Sequence, residues 1–179
     1  MNLEVHKHII EKSKLGDSKS QHELYKLYSK AMFNTCLRML NHWEDAEDIL
    51  QDSFSDAFSK LSTFVYKSTF GAWMKRITIN NCINEIKRRK VDLVFCSDIP
   101  ETIEKEQREY KLSVDQVKRA MMSLPNGSRI IFSLYLLEGY DHREIAEILN
   151  TSESNSKSQY MRAKRKIKEL LIEEVYHEK

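Results

Sequence analysis

The chain has 179 residues, enough for one large or two small domains, and its four glycines and two prolines leave little to interrupt helices, so the composition predicts an all-α fold in two domains. Its 29 basic and 27 acidic residues nearly cancel to +2, which makes their segregation along the chain more informative than their total. Cys36, Cys82 and Cys96 lack the paired spacing of zinc or redox motifs, nothing approaches the roughly 18 apolar residues of a membrane span, and Met1 to Leu15 has no continuous apolar core; a cytoplasmic protein with free thiols, no metal, no cofactor and no membrane insertion is expected.

Asn2 to Lys14 carries Leu3, Val5, Ile9 and Ile10 in a weak helical pattern, and Gly16 with Asp17 reads as a stop followed by a new N-cap. From Ser18 to about Leu40, the residues Leu24, Leu27, Tyr28, Ala31, Phe33, Thr35, Leu37 and Leu40 predict a long helix with one broad buried side. The next helix runs from Trp43 to Leu61. Ala46, Ile49, Leu50, Phe54, Ala57, Phe58 and Leu61 face inward, and Glu44, Glu47, Asp48, Gln51 and Asp52 face outward. Glu44 to Asp56 holds six acids and no base. Acids in the first turns suit the helix dipole, which accounts for Glu44 and Asp45. Asp48, Asp52 and Asp56, further along, read as an unpaired acidic face suited to a basic partner. The stretch contains no His or Cys to support a metal site.

Ser62 to Thr69 has no helical period and carries Phe64 and Tyr66 beside Lys67, the composition that stacks and holds unpaired bases, although loop aromatics also serve to cover a core. Phe70 to Lys90 then reads as a helix with a changing exposed face. Phe70, Trp73, Met74 and Ile77 share a sector that continues as Asn80, Asn81, Asn84 and Arg88, while Ala72, Ile79, Ile83 and Ile86 form a second, packed stripe. Three asparagines are poor helix formers, yet with Arg76, Lys87 and Arg88 they offer donors and acceptors that match base edges and phosphates.

Val91 to Leu112 is acidic, contains Pro100 and shows no sustained period, so it reads as a linker. Its 22 residues would span about 26 Å as a coil and about 70 Å if stretched, sufficient for two domains to sit more than one DNA turn apart. The second domain runs from Ser113 to Lys179. Val114, Val117, Ala120, Met121 and Leu124 predict one helix and Ile130, Ile131, Leu134, Tyr135 and Leu137 another, stopped by Gly139. Asp141 and Glu144 form a capping box for a short helix bearing Ile145, Ala146, Ile148 and Leu149; Asn150, Thr151 and Ser152 make a tight turn, and a basic helix follows from Glu153. This is helix-turn-helix grammar. Tyr160, Ala163, Ile167, Leu170 and Leu171 point inward. Glu153, Ser154, Asn155, Lys157, Ser158, Gln159, Arg162, Lys164, Arg165 and Lys166 are left for DNA, in a stretch where Lys157 to Lys168 holds six bases and no acid.

The order of these parts resembles the RNA polymerase sigma factors of the small, two-domain extracytoplasmic-function kind. DAEDILQDSF, Asp45 to Phe54, is similar to the segment that grips the clamp helices of the polymerase β′ subunit; FGAWMKRITINNCINEIKRR, Phe70 to Arg89, to the segment that recognises and melts the promoter minus-ten element; and LPNGSRIIFSLYLLEGYDHREIAEILNTSE, Leu124 to Glu153, to the minus-thirty-five domain. The resemblance implies polymerase contacts at Asp48, Gln51 and Asp52, joined by Glu47; minus-ten contacts at Trp73, Arg76 and Asn80; and major-groove contacts at Lys157, Ser158, Arg162 and Lys164. It further implies core RNA polymerase (β′ clamp helices and β flap), promoter DNA and an anti-sigma factor as partners, and no catalytic residue. The chain departs from the family's pattern at Asn84, where Asp is usual, and at Ser154, Asn155 and Ser156, which replace Gly-Thr-Val. Ser156 lies on the inward stripe, where a hydroxyl weakens packing unless it finds a partner. A free-standing helix-turn-helix regulator and an all-helical protein adaptor are the alternatives; the first leaves the acidic helix unexplained.

Overall fold

The computed structural model describes residues 6–89, 94–97 and 113–177, with side chains as far as residue 174, and every described regular element is helical. The chain divides into two compact units, Met1–Val91 and Asp92–Lys179.

The first unit is built from α1 (Lys7–Lys14), α2 (Ser18–Leu40), α3 (Trp43–Ser59) and α4 (Phe70–Arg88), with a single 3-10 turn at Leu61–Thr63. Local chemistry sets these limits. Asp17 accepts a hydrogen bond from the Ser20 backbone N–H at 2.9 Å and so starts α2, a cap contributing about 1 kcal/mol. Asn41 ends α2 in the left-handed conformation (φ 54°), which Asn tolerates better than most residues. Thr69 caps α4 through the Ala72 N–H.

α2 packs against α1, α3 and α4, and α3 against α4. Ile10, Leu24, Met32, Leu50, Phe54, Ala57, Leu61, Phe64, Phe70 and Met74 form their shared core. Each large apolar side chain there contributes about 1.5–3 kcal/mol by leaving water. The buried side of α2 consists of Ser20, Leu24, Met32, Thr35, Cys36 and Met39, whereas Leu27 and Ala31, expected inside, face out. A helix with three neighbours buries a wider and slightly rotated face than one stripe suggests. The same reason places Thr78 and Cys82 of α4 inside and leaves Ala72 exposed.

The second unit contains α5 (Val114–Met122), α6 (Asn126–Phe132), a π turn (Ser133–Leu137), α7 (His142–Leu149) and α8 (Glu153–His177). The Asp141–Glu144 capping box forms as expected, and Asn150 ends α7 with φ 51°. Ile130, Ile131, Leu134, Ile145 and Ala163 are the most deeply buried apolar residues, and Ile167 and Leu171 continue the α8 contribution. Val114 and Val117, expected inside, are exposed on α5. The π turn inserts a wider loop of backbone, so Tyr135, Leu136 and Leu137 emerge at the surface although the periodicity of α6 turns Tyr135 and Leu137 inward.

Four residues of the expected linker pack within this unit. The Val94 N–H donates to Asn126 Oδ1 (2.7 Å), Val94 O accepts from the Gly127 N–H (2.8 Å), and the Cys96 N–H donates to Ser128 Oγ (2.8 Å). Cys96 enters the core beside Met121, Leu124 and Phe132. Gly127 permits the approach, because a Cβ there would lie 2.7 Å from the Phe95 ring and 2.9 Å from Val94 O. The rest of that linker (91–93 and 98–112) and the residues Leu3, Val5 and Lys90 lie outside the described residues.

Candidate nucleic-acid interface

Along α3, inward Ala46, Ile49, Leu50, Phe54 and Ala57 turn Glu47, Asp48, Gln51 and Asp52 outward, and all four are exposed. Among the described residues Asp48 and Asp52 have no ion-pair partner. Asp56 does not belong with them: Lys60, four residues on, is 3.8 Å away, and Asn81 Nδ2 donates to Asp56 Oδ2 at 3.1 Å. Asp45 is also committed, receiving two hydrogen bonds from Arg89 (2.5 and 2.8 Å). The unpaired acidic face is therefore narrower than the sequence suggests and centres on Glu47, Asp48 and Asp52. Beside it a groove of about 380 Å³ is lined by Tyr25, Phe33, Trp43, Leu50, Glu47 and Gln51, with Trp43 59% exposed.

In the loop after α3 the three expected residues separate. Phe64 is 2% exposed, set between Tyr66, Phe70 and Trp73 with ring centroids 4.8–5.9 Å apart, so it supports the loop from below and is not available to stack a base. Tyr66 is half-buried with φ 58°, a conformation uncommon for an aromatic residue. Lys67 is exposed.

α4 presents Arg76, Asn80, Asn84, Lys87 and Arg88 outward, while Trp73 is half-buried against the core. Asn81 turns the other way, its amide donating to Ser53 Oγ and Asp56 and tying α4 to α3. Arg88 holds Glu85 through two hydrogen bonds (2.7 and 2.8 Å), and Arg89 bonds the same carboxylate. Those bonds, Arg88's first, hold the Glu85 carboxyl below its ordinary range despite burial. A second groove of about 380 Å³ between α3 and α4 brings Asp52 together with Asn84 and Arg88.

In the second unit the start of α8 is fixed by Ser152, whose hydroxyl accepts the Asn155 N–H at 3.0 Å. Glu153, Ser154, Lys157, Ser158 and Lys164 are exposed; Asn155, Arg162 and Arg165 are half-exposed. Glu153 and Lys157 pair at 2.6 Å, which lowers the carboxyl's pKa and raises the ammonium's, so Lys157 already has a carboxylate beside it. Gln159, expected to face DNA, is 3% exposed and accepts from Ser128 Oγ at 3.1 Å. Asn155 Nδ2 bonds Thr151 Oγ1 within the turn.

Several working residues had no local signal in the sequence. Arg89 reaches Asp45 across 44 positions, and Tyr66 reaches Glu11 across 55. Neither separation is visible to periodicity. Among the described residues there is no group of three or more His, Cys, Asp or Glu side chains arranged to hold a metal, and no helix long and apolar enough to cross a membrane.

Comparison with known proteins places both units. Residues 24–91 match the family described as Sigma-70 region 2, and residues 115–167 the family described as Sigma-70, region 4. The ECF RNA polymerase sigma factor SigM of Bacillus subtilis (strain 168) is 26% identical over 152 residues, covering 83% of this chain and 93% of that protein. SigW of the same strain, also an ECF RNA polymerase sigma factor, is 24% identical over 176 residues, covering 90% and 94%. The solved sigma factor RpoE, in complex with the anti-sigma factor NepR from Bartonella quintana, shares the fold with a TM-score of 0.51 at 24% identity, over 84% of this chain and 95% of that one. With two regions of one family matched in order, one on each helical unit, the chain belongs to the sigma-70 family, in its extracytoplasmic-function class.

Proposed function

We propose that this chain is a sigma factor that binds core RNA polymerase and directs it to promoters, with α3 as the polymerase-facing element, α4 and its preceding loop as the minus-ten reader, and α8 as the minus-thirty-five reader. The observation that carries this reading is the division of the first unit's surface. Exposed carboxylates at Asp48 and Asp52, without an ion-pair partner among the described residues, lie on one helix, and an exposed row of Asn80, Asn84, Lys87 and Arg88 lies on the helix packed against it. A basic protein surface suits the first and unpaired bases with their phosphates suit the second.

Tyr66, in the loop that leads into α4, and Trp73, on α4 ahead of Asn80, are the partly exposed aromatic residues of this reader. Flipping a base out of the stack costs a few kcal/mol, and stacking on an aromatic side chain returns about 1–3 kcal/mol per base, so no covalent chemistry is asked of this chain. In the second unit, Ser158, Arg162 and Lys164 meet the major groove and its phosphates. A helix-turn-helix regulator that works without polymerase has no use for the acidic face. Action on polymerase places the protein in the cytoplasm, and an anti-sigma factor is expected to act by covering one of these surfaces.

The test is reconstituted transcription. With core enzyme and genomic fragments the purified chain should produce discrete start sites, and Asp48→Lys with Asp52→Lys should abolish both core pull-down and initiation. Core binding unchanged by that double reversal would refute the assignment of α3, and absence of any start site with folded protein would refute the function.

A further inference from the structure

The loop between α3 and α4 is fastened by a helix that lies outside the matched family regions, since α1 (Lys7–Lys14) precedes residue 24. Tyr66 sits at the centre of this fastening. Its hydroxyl donates to Glu11 Oε1 at 2.5 Å, and the same oxygen accepts from Lys14 Nζ at 3.0 Å. Lys14 Nζ also donates to Phe64 O at 2.9 Å and stands 4.7 Å from the centroid of the Tyr66 ring, with Lys7 Nζ 5.5 Å from it. The Glu11 carboxyl is held below its ordinary range first by the Tyr66 hydroxyl and then by Lys14, so it is a carboxylate acceptor at neutral pH.

These contacts hold Tyr66 at φ 58°, in the left-handed region where an aromatic residue stays only when its surroundings over-determine it. They act on a loop tip that buries little of its own, for Val65 is 64% exposed and Lys67 is exposed. Ile10 already anchors α1 in the core. Glu11 is exposed and Lys14 and Tyr66 are half-buried, so their mutual contacts add little to global stability beside the core that Ile10 joins. What they add is direction: a ring whose position is fixed before a base arrives forfeits less freedom on capture.

We propose that α1 is a positioning element for base capture, with Glu11 and Lys14 forming a clasp that presets the Tyr66 ring. The proposal rests on the reading of this loop as the minus-ten reader. The residues act through Tyr66, and the clasp predicts that the Tyr66 hydroxyl and the Glu11 carboxylate work as one unit.

The test uses the full chain bound to core polymerase, with a fluorescent single-stranded DNA pool of randomised sequence as the probe. Tyr66→Phe and Glu11→Ala should each weaken capture about fivefold, the worth of one side-chain hydrogen bond, and should flatten the base preferences of the retained pool. The double variant should be no worse than either single one. Glu11→Gln, which keeps an acceptor oxygen, should recover most of the loss. Thermal midpoint and core pull-down should stay at parental values, which separates a preset ring from a folding defect. If Tyr66→Ala weakens capture while Tyr66→Phe and Glu11→Ala match the parent, or if the two single losses add, the clasp is refuted and the loop reading survives. If Tyr66→Ala itself leaves capture and base preference unchanged, the loop reading fails and the clasp with it.

Discussion

Ser156 lies on the inward stripe of α8, where an apolar side chain would pack, and it is fully buried with Oγ 3.0 Å from His142 Nδ1. The hydroxyl that threatened the packing of the two helices therefore has its partner. His142 is stacked on Tyr135 (centroids 4.2 Å apart, planes 11° apart) and meets Tyr160 edge-on. Burial first, and then the Lys157 ammonium, hold the imidazole below its ordinary pKa, against weaker opposite pulls from Glu153 and Asp141. The unfolded chain takes up this proton near pH 6.5, before the folded one does. The stabilisation is thus complete above about 6.5 and is lost as pH falls toward the folded value. Thermal melts of the full chain should show a lower midpoint at about pH 5.5 than at about pH 7.5, and His142→Gln should reduce that difference. Equal pH slopes in parent and variant would contradict the assignment.

At the scale of elements, Val94–Ser97 behaves as a short strap over α6, and Gly127 is the place where it can be lifted. Gly127→Ala puts a methyl group into the Phe95 ring and the Val94 carbonyl, one of them backbone. Overpacking of this kind costs about 1–3 kcal/mol, and displacement of the strap relieves it. Cys96 should then react with a thiol reagent faster than in the parent, while Cys36 and Cys82, buried in the first unit, stay protected. Thiol labelling followed by peptide mapping checks this. Four residues give no periodicity to read, which is why the strap was illegible in a sequence where the capping box at Asp141, the left-handed Asn150 and the N-cap at Asp17 were each plain. Caps are local and carry their own signature. Facing is not: Leu27, Ala72 and Gln159 occupy positions that a single stripe assigns one way and two or three packing neighbours assign another. The same distinction runs through the candidate site, where the outward row Asn80, Asn84 and Arg88 was legible because it follows helical spacing. The burial of Phe64 and the Asn81 bond to Asp56 were not, since the first depends on the aromatic cluster around it and the second on a residue from another helix, whereas Lys60, four residues after Asp56, was in plain view.

For the molecule as a whole, the near-zero net charge conceals an acidic face on α3 and a basic one on α8, and salt should weaken DNA binding through the basic one. Lys164 is exposed, and among the described residues it has no ion-pair partner, whereas Lys157 already has Glu153 at 2.6 Å. Plots of log affinity for promoter duplex against log salt should flatten by about one unit for Lys164→Ala. Lys157→Ala should flatten them less, because a lysine with a carboxylate counterion releases fewer ions on binding. Equal changes for the two variants would mean that the Glu153 pair opens on DNA.

The bridge from Asp45 at the head of α3 through Arg89 to Glu85 at the foot of α4, with Asn81 stitching the same two helices midway, has a mechanical consequence. It makes the pair a stiff lever. A torque applied to α3 would reach α4 through these contacts as well as through the ten-residue connection between the two helices.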